Sequence, residues 1–378
     1  MKPTLAVVVP HYRQTRYLAE CLCSLLQQGR VPDEVIVVDS SPEETADVLR
    51  PFRMRIQYLS APAAGVAAAR NLGIRATECD LVSFLDADNV AADGMCEAHA
   101  AAFEAAAQTV LCHGAVTPID AHGRPYAHAS RLDSERVPQS RQLGWLLERN
   151  WIATDSACVQ RRALLDVGGF CEQEGVREDY DLWLRLAERG AFAYVERPLA
   201  LYRRHATNLS NDREYMFRWE AGALRRVDPV RALQAITEAF PERRRQALVW
   251  AEFLLRRGDT QEAEAALRRA ADTWPGEPPF LFHLGNLALD AGELSRAEPC
   301  YRRVLDDSQD DAAAWNNLGV VLATTGRDQA AREAFARASR LRPAYQDAAV
   351  NLAQPSALRL TRRRLRDQLP PLSPDARG

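Results

Sequence analysis

Apolar residues in the first 85 positions fall into short, β-branched-rich runs separated by longer stretches with helical spacing. Residues 5–9, 34–38, 56–59 and 81–85 have strand length and are apolar almost throughout, the pattern of strands buried on both faces. Between them, residues 15–28, 43–49 and 64–76 place apolar side chains at helical intervals. Strands alternating with helices of this size predict an α/β domain whose parallel sheet is covered on both faces. Ligands of such sheets bind in the crevice beyond the carboxyl ends of the strands. Three of the four runs end there in polar or turn residues: Pro10-His11-Tyr12, Asp39-Ser40-Ser41 and Asp86-Ala87-Asp88-Asn89.

From residue 90 to 210 the pattern is mixed, with helices expected over 91–106 and 180–189 and shorter strands over 110–116 and 192–195. Residues 212–243 are helical in composition and rich in Arg and Glu, and read as a connector. Beyond it the chain repeats. Gly258, Gly292 and Gly326 are spaced by 34 residues, as are Ala263, Ala297 and Ala331, and Leu267, Tyr301 and Phe335. Trp250, Leu284 and Leu318 keep the same interval, Gly285 matches Gly319, and Asn351-Leu352-Ala353 begins a partial further copy. This period, with small residues where helices touch and bulky ones between repeats, resembles the tetratricopeptide repeat. Each such unit is a helix pair that buries its apolar face only against its neighbours. The organisation expected is a first domain over 1–211, a connector over 212–243, and about three repeats plus a partial capping repeat over 244–355. A basic tail follows over 356–378, with five arginines within eight residues from Arg359, read as a short capping helix and then disorder.

Composition narrows the chemistry. A net charge of -3 over 378 residues argues against a general nucleic-acid binder. No stretch reaches 18 apolar residues, so no transmembrane segment is expected and the chain reads as cytoplasmic. Peripheral contact with the inner face of a membrane is left to the basic tail. Eight scattered cysteines lack metal or disulfide spacing and read as buried thiols. Lys2 is the only lysine, which excludes a Walker A lysine and an internal Schiff base. The Arg-for-Lys bias points to a bacterium with a GC-rich genome.

Asp86 and Asp88, one residue apart at a strand terminus, can face one divalent cation, and hard oxygen ligands suit Mg²⁺ or Mn²⁺. Alone the pair is a common acidic turn; its neighbours make it informative. Upstream stands Gly65-Val66-Ala67-Ala68-Ala69-Arg70-Asn71-Leu72-Gly73. Downstream, Gly168-Gly169-Phe170 precedes Arg177-Glu178-Asp179-Tyr180-Asp181-Leu182-Trp183, and then Tyr202-Arg203-Arg204-His205-Ala206-Thr207-Asn208. Together these ordered motifs resemble the family 2 inverting glycosyltransferases of the GT-A fold, over residues 3–211. The fold expected is thus an α/β GT-A (Rossmann-like, nucleotide-sugar-binding) domain followed by an all-α tetratricopeptide-repeat solenoid.

The resemblance implies roles residue by residue. Pro10 and Tyr12 line the nucleotide pocket, and Asp39 accepts a hydrogen bond from the base, uracil by preference. Arg70 and Asn71 sit near the base and diphosphate. Asp86 and Asp88 form the metal and diphosphate motif, which His205 completes. Asp179 is the catalytic base with Glu178 beside it, Glu178 and Asp181 being its rivals. Trp183 reads as core; Trp145, Trp151 and Thr154 lie where the acceptor side forms. His11, His99, His113, His122 and His128 receive no role. Where the family often carries Asp-Asp-Gly-Ser, this chain has Asp39-Ser40-Ser41-Pro42, which leaves the register of Asp39 open. The processive-synthase Gln-x-x-Arg-Trp signature is absent.

The implied reaction moves a sugar, of hexosyl type, from a nucleoside-diphosphate sugar to a hydroxyl acceptor, with a divalent metal and an Asp base. The acceptor is a glycan, a lipid-linked molecule or a protein, and the repeats supply a surface for a protein partner. The alternative is a non-catalytic repeat scaffold on a degenerate nucleotide-sugar-binding domain.

Overall fold

The computed structural model describes residues 2–13, 15–41, 45–61, 65–126, 137, 141–208, 211–343, 345–354 and 358–362. Pro42, the first residues of the second and third expected helices, His128 and the tail from residue 363 lie outside them. The described chain falls into two compact units that divide between Ala239 and Phe240.

In the first unit, β1 (Leu5–His11), α1 (Thr15–Leu26), β2 (Glu34–Asp39), α2 (Ala46–Leu49), β3 (Gln57–Ser60), α3 (Val66–Ala76) and β4 (Leu81–Phe84) follow the expected alternation. Next come β5 (Val90–Ala91), α4 (Met95–Ala105), β6 (Thr109–Ile119), α5 (Gln142–Glu148), β7 (Cys158–Gln160) and α6 (Arg161–Asp166). The unit ends with α7 (Glu178–Leu186), β8 (Ala191–Arg203), α8 (Arg213–Arg225) and α9 (Pro229–Ala239). One eight-stranded sheet has the order β3-β2-β1-β4-β7-β6-β8-β5. Every residue of β1 is buried, which is why its sequence shows no polar alternation.

The sheet is mixed rather than parallel. Strands β1 to β4 pair parallel, but β7 runs antiparallel to both β4 and β6, and β5 antiparallel to β8. The expected helix over 91–106 begins only at Met95. Gly94 sits in the left-handed region at φ 70°, and Val90 and Ala91 pair with β8 instead. The strand expected over 192–195 extends to Arg203 because β6 offers it a partner along its whole length, through several register shifts.

Close approach explains three glycines. A Cβ on Gly73 would stand 2.4 Å from Val8 Cγ1, so α3 lies tight against β1. Gly144 is pressed against the Ala235 carbonyl of α9, and Gly222 of α8 against the Gly175 carbonyl. Together with the hydrogen bond from Arg177 N to Trp219 O, 2.9 Å, these contacts seat α8 and α9 within the first unit. No described helix is long and apolar enough to cross a membrane.

The second unit contains α10 (Arg243–Arg257), α11 (Thr260–Thr273), α12 (Pro278–Asp290), α13 (Leu294–Asp307), α14 (Ala312–Thr324), α15 (Asp328–Leu341) and α16 (Gln346–Ala353). Gly258, Gly292 and Gly326 adopt φ of 93°, 75° and 75°, ending the first helix of each pair in a conformation that costs other residues strain. The ring of Tyr301 lies on Gly285 and that of Phe335 on Gly319, where a Cβ would meet ring carbons at 2.8 and 2.6 Å. In the first pair the same two positions hold Ala251 and Leu267, both fully buried. A methyl replaces the hydrogen where an aliphatic side chain replaces the ring. The tail does not open with the expected capping helix: residues 358–362 are non-helical. Their backbone groups bond to asparagine side chains of the array, which removes the helix's internal hydrogen bonds as the favoured alternative.

Candidate active site

The switch in strand order falls between β1 and β4, since β2 follows β1 on one side and β4 lies on the other. A crevice opens at such a point beyond the carboxyl ends, and the chain places His11, Asp39 and Asp86 there, at or just past the ends of β1, β2 and β4. Pro10 is buried in β1, whereas Tyr12 is 55% exposed with the Arg13 guanidinium over its ring at 5.1 Å.

Asp39 is fully buried. Its Oδ1 accepts from Ser41 N at 2.9 Å and pairs with His11 Nδ1 at 2.9 Å; its Oδ2 accepts from Thr45 Oγ1 and from Tyr58 Oη at 3.1 Å. Burial raises the Asp39 carboxyl, but the hydrogen bonds from His11 and Thr45 win and hold it below its ordinary value. A nucleobase reaches Asp39 only by displacing a donor, and the half-exposed Tyr58 is the one at the surface. His11, without ligand spacing in the sequence, is therefore the partner that orients Asp39.

The acidic turn after β4 is organised by three residues brought from far along the chain. Asp155 Oδ1 accepts from Asp86 N at 2.8 Å. His205 Nε2 lies 3.0 Å from Asp88 Oδ2, its ring stacked on Tyr17 and its Nδ1 2.9 Å from Thr207 Oγ1. Arg203, 1% exposed, donates from Nε to Asp88 O at 2.8 Å and fixes the turn from beneath. Burial, and then the Asp86 charge, push the Asp155 carboxyl up to about 7. Negative charge is thus concentrated around the turn.

Arg70, 3% exposed, joins this turn to the start of α7. Its Nη2 donates to Asp86 Oδ1 at 2.7 Å and its Nη1 to Glu178 Oε1 at 2.8 Å, with the guanidinium 5.3 Å from the Phe170 ring centroid. Burial opposes its charge, yet Asp86 and Glu178 outweigh it and raise the guanidinium's pKa. Glu178 is raised above its ordinary range, by burial first and the adjacent Asp179 second, against the pull of Arg70. Asp179 Oδ1 accepts from Arg177 Nε at 3.0 Å and from Tyr180 N at 2.6 Å. Among the described residues its Oδ2 has a single long contact, 3.5 Å from Thr154 Oγ1. Asp181 is 2% exposed and gripped by Arg185 and Arg226 at 2.6 Å each, an arrangement that ties α7 to α8.

Asn71, expected near base and diphosphate, is committed elsewhere. Its Nδ2 donates to Phe170 O and Glu172 Oε1 and its Oδ1 accepts from Phe170 N at 2.8 Å, so it pins the Gly168-Gly169-Phe170 turn. Trp183 is fully buried, edge-on to Phe170. Trp151 and Thr154 are buried at 8% each.

The donor set suits a divalent cation: two carboxylates and an imidazole, with no arginine on the Asp88 carboxylate among the contacts described. No group of three or more His, Cys, Asp or Glu side chains among the described residues has metal-holding geometry. A cation that works on phosphates takes one or two protein carboxylates and completes its shell with phosphate oxygens and water. Asp88 and His205, already 3.0 Å apart, fit that share.

The sheet order and the acidic turn at its switch point define a GT-A-like domain. Comparison with known proteins agrees: residues 6–169 match the description "Glycosyl transferase family 2", and residues 244–287 and 282–349 match tetratricopeptide repeats. The first unit thus carries a stretch that matches glycosyl transferase family 2, over less than half of the chain, and the second carries tetratricopeptide repeats. An uncharacterized protein of Mycobacterium tuberculosis is 28% identical over 219 residues, 54% of this chain and 68% of that protein. The pre-mycofactocin glycosyltransferase of the same species is 34% identical over 173 residues, 44% of this chain but 36% of that protein. Among solved structures, S. aureus TarS 1-349 in complex with UDP-GlcNAc has a similar fold, with a TM-score of 0.50 at 15% identity, covering 91% of this chain and 93% of that one.

Proposed function

We propose that the chain transfers a sugar from a nucleoside-diphosphate sugar, UDP-linked, to an acceptor hydroxyl, with inversion at the anomeric carbon. The observation that carries this reading is the Arg70 bridge, which holds the acidic turn and the Glu178-Asp179 pair in one constellation although they lie on different elements. The match to glycosyl transferase family 2 supports transfer of a glycosyl group, and the UDP-GlcNAc bound by TarS supports the donor class.

Departure of a nucleoside diphosphate builds negative charge on the leaving oxygen. A divalent cation, Mn²⁺ or Mg²⁺, held by Asp88 and His205 with Asp86 alongside, would neutralise that charge. Arg70 keeps Asp86 oriented and adds positive charge at the same place. Attack from the opposite face requires an acceptor hydroxyl to lose its proton to a positioned carboxylate. Glu178 is held in an ion pair by Arg70, whereas Asp179 Oδ2 has a single long contact among the described residues and matches the base of the family's motif; Asp179 is therefore the base and Glu178 its electrostatic neighbour. Asp181, gripped by two arginines, serves the fold. At the other end of the crevice, Pro10, Tyr12 and the Asp39–Tyr58 pair receive the nucleoside. The acceptor, whether a glycan, a lipid-linked molecule or a protein, approaches past Trp145, Trp151 and Thr154.

Substitution Asp179→Asn removes the base without removing bulk. Transfer should fall by about 10²–10⁴-fold, the usual share of a general base, while affinity for the donor is unchanged. Full transfer activity in Asp179→Asn would exclude the assignment.

A further inference from the structure

The repeat unit holds a feature that the transferase reading leaves unused. Residues 358–362 lie extended across α12, α14 and α16 and are bound through their backbone. Asn351 and Arg359 exchange two hydrogen bonds: Arg359 N donates to Asn351 Oδ1 at 2.6 Å, and Asn351 Nδ2 donates to Arg359 O at 2.9 Å. Asn317 and Thr361 do the same, at 2.9 Å each. Asn317 and Asn351 are 34 residues apart, one repeat, and Arg359 and Thr361 are two apart, the period of an extended chain. Successive repeats thus read alternate backbone amides, with the bound segment running opposite to the array. Asn316 adds a bond to Arg359 O at 3.0 Å, and Asn286 bonds to Thr361 O at 3.2 Å.

These amides are positioned before any segment arrives. Asn286 Oδ1 accepts from Tyr301 Oη at 2.7 Å and from Asn317 Nδ2 at 2.8 Å; Asn316 Oδ1 accepts from Asn351 Nδ2 at 2.9 Å. All four asparagines are buried. Two side-chain contacts add selectivity. Thr361 Oγ1 donates to Asp347 Oδ2 at 3.1 Å and contacts Tyr345 Oη, and Arg362 meets Asp290 through both terminal nitrogens at 2.6 and 3.2 Å.

We propose that residues 358–362 are a built-in competitor occupying a peptide-recognition groove, and that the groove's external ligand is an extended protein segment carrying a hydroxyl residue followed by arginine. The asparagines bind chiefly the backbone's N–H and C=O groups, and Asn316 Nδ2 also reaches the Thr361 hydroxyl at 3.2 Å. Asp347 and Asp290 select the hydroxyl and the cation. A tethered occupant competes at a high effective concentration, so a partner enters only by displacing it. The groove is closed to weak or unmatched peptides and open to a matched one.

The test uses the full chain and a fluorescently labelled synthetic peptide with the sequence of residues 356–364. In the variant Thr361→Glu, a carboxylate facing Asp347 expels the internal segment while leaving every groove residue in place. The labelled peptide should bind this variant at least about tenfold tighter than wild type, because the tethered competitor is gone. Adding Asn317→Ala and Asn351→Ala to Thr361→Glu should abolish that gain. Equal binding to wild type and Thr361→Glu, or a gain that survives loss of both asparagines, would overturn the proposal. A second readout needs no variant. Amide exchange in wild type should show Arg359 and Thr361 protected, with protection lost when excess unlabelled peptide is added and the released segment meets solvent. Fast exchange of both amides in the free chain would overturn it equally.

Discussion

Both units bury polar side chains, but of different kinds. Around the switch point of the sheet the buried groups are ionisable: Asp39, Arg70, Asp155, Arg203 and His205. In the groove of the array they are mostly neutral amides, Asn286, Asn316, Asn317 and Asn351, with the Asp347 carboxylate beside them. Burying charge is costly unless each group is paired, and at Arg70 the sheet meets that cost with opposing charges at 2.7 and 2.8 Å. Such pairs can exchange partners with an anionic ligand and a cation. Amides bury at far lower cost and match the backbone's own donor and acceptor, so they recognise a chain without discriminating among most of its side chains. One unit is built to act on charge, the other to hold a strand.

The contrast is broken most severely by removing one charge from the sheet. Arg70→Met leaves Asp86 and Glu178 without their shared cation. Its cost should be about 3 kcal/mol, the low end for a broken buried pair because Asp86 is partly exposed. Chemical denaturation followed by a probe in each unit should show the loss in the first unit alone; an unchanged midpoint there would remove the bridge from the account.

Acidification should separate the units next. Burial pushes the imidazoles of His99 and His113 down to about 4 and about 3, the Ser156 carbonyl contact opposing this for His99. Both folded values lie below the ordinary 6.5, so at these two sites the unfolded chain binds more protons, and their contribution lowers the stability of the first unit as pH drops through 6.5 towards 4. The raised Asp155 carboxyl acts in the opposite sense over the same range, one group against two. In the array, Arg327 and then Arg302 hold Glu298 down to about 2 against burial. That carboxylate pair loses its contribution only as pH falls below the ordinary 4.5. Melting at pH 7.5 and pH 5 should move the first unit's transition far more than the second's. Equal shifts would contradict the burial of the two histidines.

A smaller effect sharpens the packing side of the comparison. Gly319→Ala drives a methyl into the Phe335 ring and should cost about 1–3 kcal/mol. Combining it with Phe335→Leu, the pairing already present at Ala251 and Leu267, should recover most of that loss. A double variant no more stable than the single would show that the two positions do not pack as a pair.

What could be read in the sequence follows from how local each signal is. Strands β1, β2 and β4 were legible because burial on both faces leaves continuous apolar runs. Strands β5 and β7, of two and three residues, are too short to carry a period, and they are the ones that turn a parallel sheet into a mixed one. Repeats were legible because Gly258, Gly292 and Gly326 mark a conformation few other residues accept. Asp86, Asp88, Glu178 and Asp179 stood out through ordered motifs. Asp155 and His11 did not, since each is a lone residue whose partner is supplied only by folding. Asn71 shows what a motif alone leaves unsaid, since its amide is taken up by a turn 99 residues away. The seat of residues 358–362 was hidden because five arginines in a terminal stretch read as solvated, while the groove's amides sit inside repeat positions.

The central claim is that the charged constellation handles a nucleotide sugar. It is tested most directly by measuring binding and slow hydrolysis across a panel of nucleoside-diphosphate sugars, with Mn²⁺ and with chelator, for wild type and Asp88→Ala. The account predicts cation-dependent turnover of a UDP-linked donor that is lost in Asp88→Ala. Absence of binding to every donor under both conditions would contradict it and leave the repeat unit, with its occupied groove, as the functional part of the chain.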